Sequence, residues 1–233
     1  MTPEFIFYHI PKCGGTSVRS LLYKAFITKY THQQIYFPQT LFGDCNYKGI
    51  NLTTNDDYVA AMGVLNEHLE QIKIVLCHTK NNGVVTRSNS CKSLCVLRHP
   101  VDRLISHYYY FDKGKFDNKP MRRLPADTLK KYCLSYSGLM CEYVSQSNDI
   151  DTICRDYDNI TYTLILEKIN DQLTKIIKNI CTDFKIKSNQ TYKLEMLNQQ
   201  KNNNTTPFER QIVSEMMHNS LDMKLYQHAV TTL

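Results

Sequence analysis

The chain has 233 residues, 42% of them hydrophobic, enough to bury one substantial core, so a single domain over residues 1–233 is expected. A formal net charge of +6 points to anionic ligands, but the basic residues are spread without a dense block, which argues against nucleic acid as the partner. The nine cysteines are irregularly spaced and form no CxxC pair, which disfavours a zinc site or a disulfide framework and fits a reducing compartment.

The first element is a compact apolar run, Phe5–His9, directly behind Met1–Glu4. It leaves no room for a signal peptide or membrane anchor, so a cytoplasmic chain without a membrane span is expected. A turn, PKCGGTS, follows, and Val18, Leu21, Leu22 and Ala25 then recur at helical spacing over Ser17–Phe26. The polar stretch Thr31–Asp57 reads as loop-rich. Ile72–Cys77 and Ser93–Leu97 are short apolar runs of the size of buried parallel strands, each ending at a polar cluster: His78-Thr79-Lys80 and Arg98-His99-Pro100. A helix is expected from Pro100, and Asp112–Pro125 is a charged connector. Tyr162–Leu166 repeats the strand pattern and leads into a helix from Ile169 to about Cys181. The asparagine-rich Leu197–Thr206 reads as a loop, and Thr206-Pro207-Phe208-Glu209 as a capping box that opens a helix. Strands alternating with helices predict an α/β fold, a single open parallel sheet flanked by helices.

Such sheets bind ligands at the carboxyl ends of their strands, and a glycine turn feeding a helix N-terminus presents N–H groups and a partial positive charge. PKCGGTS therefore reads as an anion seat. Gly14 and Gly15 let the backbone approach a ligand, Thr16 and Ser17 add hydroxyl donors, and Lys12 adds a movable cation. It is not a nucleoside-triphosphate loop, in which lysine follows the last glycine; here lysine precedes both glycines, and no strand ends in an aspartate placed to hold a metal. The dinucleotide pattern GxGxxG is absent as well.

HIPKCGGTS and VLRHPVDRLISHYYYF (Val96–Phe111), in this order, resemble the 5'-phosphosulfate loop and the 3'-phosphate strand and helix of the sulfotransferases. The pair is most similar to the carbohydrate sulfotransferases of the heparan sulfate 2-O-sulfotransferase type. The resemblance implies a P-loop-like sulfotransferase fold and the donor 3'-phosphoadenosine 5'-phosphosulfate (PAPS), with adenosine 3',5'-bisphosphate (PAP) as product, no metal, and a hydroxyl acceptor of the glycan class. It implies that Lys12, Cys13, Gly14, Gly15, Thr16 and Ser17 hold the 5'-phosphosulfate, that Arg98 and Ser106 hold the 3'-phosphate, and that His78 is the general base, with Lys12 neutralising the departing phosphate. Cys13 stands where many relatives have threonine, and its position beside Lys12 and a helix N-terminus predicts a lowered thiol pKa. His9, His99 and His107 read as structural, with a base at one of them as the fallback. Arg103 also reads as structural, capping locally or pairing with Asp102 or a nearby loop. Of Tyr108, Tyr109, Tyr110 and Phe111 some must pack in the core, because four consecutive residues cannot share one helix face. Two other classes stay open on the sequence: a nucleotide-dependent phosphotransferase, which magnesium dependence would mark, and a non-catalytic nucleotide- or glycan-binding module, which would bind the donor without turnover.

Overall fold

A computed structural model describes residues 3–36, 71–78, 90–111, 126–187 and 205–233. The expected connector at 112–125, Thr79 and Lys80, and most of the stretches read as loops at 31–57 and 197–206 lie outside them.

Five parallel strands form one sheet: β1 Phe5–Tyr8, β2 Ile35–Tyr36, β3 Ile74–Cys77, β4 Lys92–Leu97 and β5 Tyr162–Ile165, in the order β2-β3-β1-β4-β5. Every residue of β1 is buried, as its unbroken apolar run requires of a strand covered on both faces. Register puts Tyr8 beside Cys77 on one flank and Cys95 on the other, so β1, β3 and β4 end side by side. β4 runs on to pair Leu97 with Ile165 of β5. At the other end Ser93 and Thr161 clamp the pair, each backbone N–H donating to the other's hydroxyl at 3.1 and 3.3 Å.

Eight helices are described: α1 Gly15–Phe26, α2 Pro100–Phe111, α3 Ala126–Tyr136, α4 Leu139–Val144, α5 Ile150–Asp158, α6 Ile169–Asp183, α7 Pro207–Met217 and α8 Leu221–Thr232. The strands and helices expected from the sequence form within a residue or two of their bounds. The α7 start is the capping box read from the sequence: Thr206 accepts from the Glu209 N–H, and the Glu209 carboxylate accepts from the Thr206 N–H at 2.9 Å. Among the described residues no helix is long and apolar enough to cross a membrane.

The main core surrounds the sheet, and α2, α3 and α7 enclose a second apolar cluster that includes Val101, Leu104, Leu129 and Met217. A fully buried ion pair joins α2 to α8 and α4. Arg103 lies 3.5 Å from Asp222 and donates to the carbonyl of Tyr136 at 2.6 Å. Asp222 in turn accepts from the N–H groups of Met140 and Cys141 at 3.1 and 3.0 Å. Arg103 is thus structural, but with other partners than expected: Asp102, on the solvent side of α2, pairs with Arg210 of α7 at 2.7 Å instead. Removing one member of a buried pair leaves the other charge uncompensated. Asp222→Ala should cost about 3–5 kcal/mol in a denaturant melt, while Asp102→Ala, which breaks a partly exposed pair, should cost about 1 kcal/mol or less.

Candidate functional site

The strand order fixes where a ligand can enter. From β1 the chain crosses to β2 on one side of the sheet, and from β4 it crosses to β5 on the other, so the crevice opens between the ends of β1 and β4. The loop Ile10–Gly14 leaves β1 there. Its backbone is wound tightly: Cys13 N–H donates to Ile10 C=O at 3.3 Å, and both Lys12 (φ 67°) and Gly14 (φ 75°) are left-handed. For Lys12 that conformation costs about 1–2 kcal/mol. Arg98, the first residue past β4, donates from Nη1 to the Lys12 carbonyl at 3.1 Å and so holds this turn from across the crevice.

α1 then starts at Gly15, with Gly14 as N-cap; no side chain caps its first turn and no acidic residue lies in it. Gly15 is required by space, because a Cβ there would fall 1.9 Å from Cδ2 of His9. Thr16 is partly buried and Ser17 buried in the same turn. The helix start leaves backbone N–H groups without side-chain caps, beside the cations of Lys12 and Arg98, an arrangement that suits an anion. Lys12 supplies one charge, its ammonium resting 3.9 Å from the ring centroid of Tyr110 in α2. Ser106, buried one turn before Tyr110, lies on the same helix face by the i, i+4 rule.

Cys13 departs from expectation. Its side chain is fully buried in the core, and burial pushes the thiol up to about 12, outweighing the opposite pull of Arg103 and Arg98. It anchors the loop by packing and is not a reactive thiolate.

His78 follows β3 directly, on the other side of β1. Its Nδ1 lies 2.6 Å from the His9 carbonyl, and since a carbonyl only accepts, Nδ1 carries the proton and Nε2 the lone pair. Burial, then the Arg19 guanidinium, push His78 down to about 4. The same causes, with His78 and Lys12 added, hold His9 well below the usual histidine range. His107, by contrast, is buried between Tyr132 and Tyr136 of α3 and is pushed down to about 3, chiefly by burial. His99 sits at the start of α2, its N–H donating to Glu167 at 2.9 Å and its ring packed edge-on against Tyr226 of α8.

The fold therefore gathers Lys12, Gly14–Ser17 and Arg98 in one crevice, brings Ser106 to the Tyr110 face beside it, and sets His78 at the neighbouring strand end. His99 and His107 serve packing and hydrogen bonding within the helical layer. Two residues at the site were missed from sequence. Arg19 is buried in α1, and the signal was available: it shares the i, i+3, i+7 stripe of Leu22 and Phe26, where a charge is out of place. Tyr110, the platform for Lys12, was one of four consecutive aromatics, and only the helix phase singles it out.

The sequence model of the family described as "Sulfotransferase family" matches residues 2–228. Among solved structures, the crystal structure of a sulfotransferase from Alicyclobacillus acidocaldarius superposes with a TM-score of 0.51, covering 99% of this chain and 96% of that one at 12% identity. That likeness establishes the fold. No curated protein sequence matches the chain significantly.

The three depressed histidines set an acid response. An unfolded chain protonates histidine near pH 6.5, while the folded chain takes up these protons only at lower pH. Between those limits the unfolded state binds more protons, so the stability these groups contribute is full above about pH 6.5 and falls as pH drops below it. In an NMR titration the ring signals of His9, His78 and His107 should stay at their neutral positions from pH 7 to about pH 5.

Proposed function

The chain belongs to the sulfotransferase family, and on that premise we propose that it transfers a sulfuryl group from PAPS to a hydroxyl acceptor of the carbohydrate class. The observation that carries this reading is the 3.1 Å bond from Arg98 to the Lys12 carbonyl, which joins two anion-binding elements at one crevice. A donor with two separated anionic groups needs both.

The residues present fit such a donor. The uncapped first turn of α1, the bare Gly15 and the absence of acidic residues in that turn suit the 5'-phosphosulfate. Cys13 supports this segment from the core, and Thr16 and Ser17 offer hydroxyls. Arg98 keeps further guanidinium N–H groups beyond the one on Lys12, and with Ser106 it forms the 3'-phosphate seat; its planar fork matches two phosphate oxygens. PAPS, when bound, supplies a sulfuryl group on a phosphate leaving group.

Transfer forms a bond from acceptor oxygen to sulfur and breaks the bond from sulfur to the bridging oxygen, whose electron pair stays with PAP. His78 Nε2 receives the proton that the acceptor hydroxyl gives up. The Lys12 ammonium neutralises the charge that develops on the bridging oxygen. Positioning and electrostatics carry most of the rate, as in phosphoryl transfer. The carbohydrate class of acceptor rests on the similarity of HIPKCGGTS and VLRHPVDRLISHYYYF to carbohydrate sulfotransferases.

The donor reading is tested by thermal shift. At a hundredfold excess over its dissociation constant PAP should stabilise the protein by about 2.7 kcal/mol. AMP, which lacks the 3'-phosphate, should do much less at the same concentration; equal shifts from the two nucleotides would remove Arg98 and Ser106 from the donor site.

The chemical roles are tested by turnover. His78→Ala should bind PAP as the parent does and lose roughly 10²-fold in rate, and Lys12→Ala should lose about as much. Because the neutral form of His78 is the active one and its pKa lies at about 4, the acid limb of kcat/KM should fall near pH 4 and not near pH 6.5. A folded His78→Ala protein with near-parental turnover would show that the base is elsewhere.

A further inference from the structure

We propose that His9 is the positioning residue for His78, holding its ring plane and its tautomer through two separate contacts; the inference rests on His78 being the base. The first contact is the main-chain one: the His9 carbonyl accepts from His78 Nδ1 at 2.6 Å. It fixes the tautomer that leaves Nε2 unprotonated, and it stabilises the imidazolium formed when Nε2 takes a proton. A carbonyl oxygen thus does for His78 what a carboxylate does for the histidine of a hydrolytic triad. The second contact is the ring. His9 is stacked on His78 with centroids 3.9 Å apart and planes 19° apart, and it is also stacked on Phe7 at 5.5 Å and 12°.

Three planar rings therefore form a column that starts in the core strand and ends at the base. Residues 7 and 9 share a face by strand alternation, so β1 itself aims the column. The edge of the His9 ring lies against Gly15, where a Cβ would be 1.9 Å from Cδ2 and 2.4 Å from Nε2. The same ring is therefore wedged between the anion seat and the base and sets the distance between them. A slip of His9 would misplace His78 relative to anything bound at the start of α1.

His9 does not serve as a second base. Its Nδ1 is buried with no hydrogen-bond partner among the described residues. Arg19 of α1 and Lys12 of the loop face the histidine pair with positive charge, and a proton on one ring opposes a proton on the other across the stack. A proton on His78 therefore disfavours one on His9, the more deeply buried ring. What His9 contributes is a flat, neutral surface of fixed height.

The test uses histidine-labelled protein without donor, so that it does not depend on activity. Long-range proton–nitrogen spectra of the parent should show His78 with its proton on Nδ1; a proton on Nε2 overturns the proposal outright. In His9→Ala, which keeps the carbonyl, the tautomer should persist while the His78 ring signals shift and its titration moves up toward pH 6.5, because the stacked surface is lost and water gains access to the ring. Turnover should fall about tenfold or more while PAP affinity stays within about twofold. His9→Phe restores a planar ring and should restore the His78 ring signals and most of the rate; should His9→Ala not fold, this variant and the parent spectrum decide. Parental His78 spectra and rate in folded His9→Ala would refute the positioning role. So would a folded His9→Phe that binds PAP and keeps the His78 tautomer but does not turn over, since His9 would then act through its own nitrogens. The base assignment is judged separately, by turnover of His78→Ala, so loss of one reading leaves the other measurable.

Discussion

The site depends on one hydrogen bond, from Arg98 to the carbonyl of Lys12. A lysine in the left-handed region is strained, and its carbonyl lies in the loop past the end of β1, outside the strand pairing of the sheet. Arg98 supplies the donor from the end of β4, 86 residues away in sequence. The bond ties the loop after β1 to the end of β4 and restrains the guanidinium. Loop, helix start and second anion group therefore form one unit, and strain at Lys12 is tolerated because tertiary structure over-determines it.

Much of this was legible from local pattern. The unbroken apolar runs of β1, β3 and β4 identify buried parallel strands, and the polar residues that follow them, Lys12 in the loop after β1 and His78 and Arg98 directly after β3 and β4, are the ones the fold brings toward the crevice. The capping box at Thr206 specified the start of α7 because it is a wholly local device. Of the elements not read from the sequence, α5 and α8 do open on local caps, Asp149 and Ser220, whereas β2 and α4 lack such signals. β2 is two residues long, and α4 only six, with a glycine for its N-cap and the carboxylate of Asp222 holding its first N–H groups from 82 residues downstream. No short-range pattern could show that partner. The expected low pKa of Cys13 failed for a related reason: sequence shows the neighbouring lysine and helix start, but not that the side chain turns inward, where burial outweighs both.

The buried charges divide by role. Arg103 and Asp222 tie four helices together, and Asp222 also caps one of them, so the pair is structural in the strict sense that each charge satisfies main-chain groups as well as its partner. Arg19 differs. Burial first, and then the Arg19 guanidinium, disfavour a proton on either histidine, so among the described residues at the crevice the positive charge comes from Lys12, Arg98 and Arg19.

The rest position of Lys12 has a thermodynamic corollary. A free lysine side chain loses up to about 2 kcal/mol of rotamer freedom when it is pinned on a ligand. Here the ammonium already lies on the face of Tyr110 at 3.9 Å, so a good part of that freedom is lost before any ligand arrives. Moving the ammonium from the ring onto an anion exchanges one ordered state for another. In the proposed role of Lys12 the entropy cost of taking an anion is correspondingly small, and the gain from charge neutralisation is left largely intact.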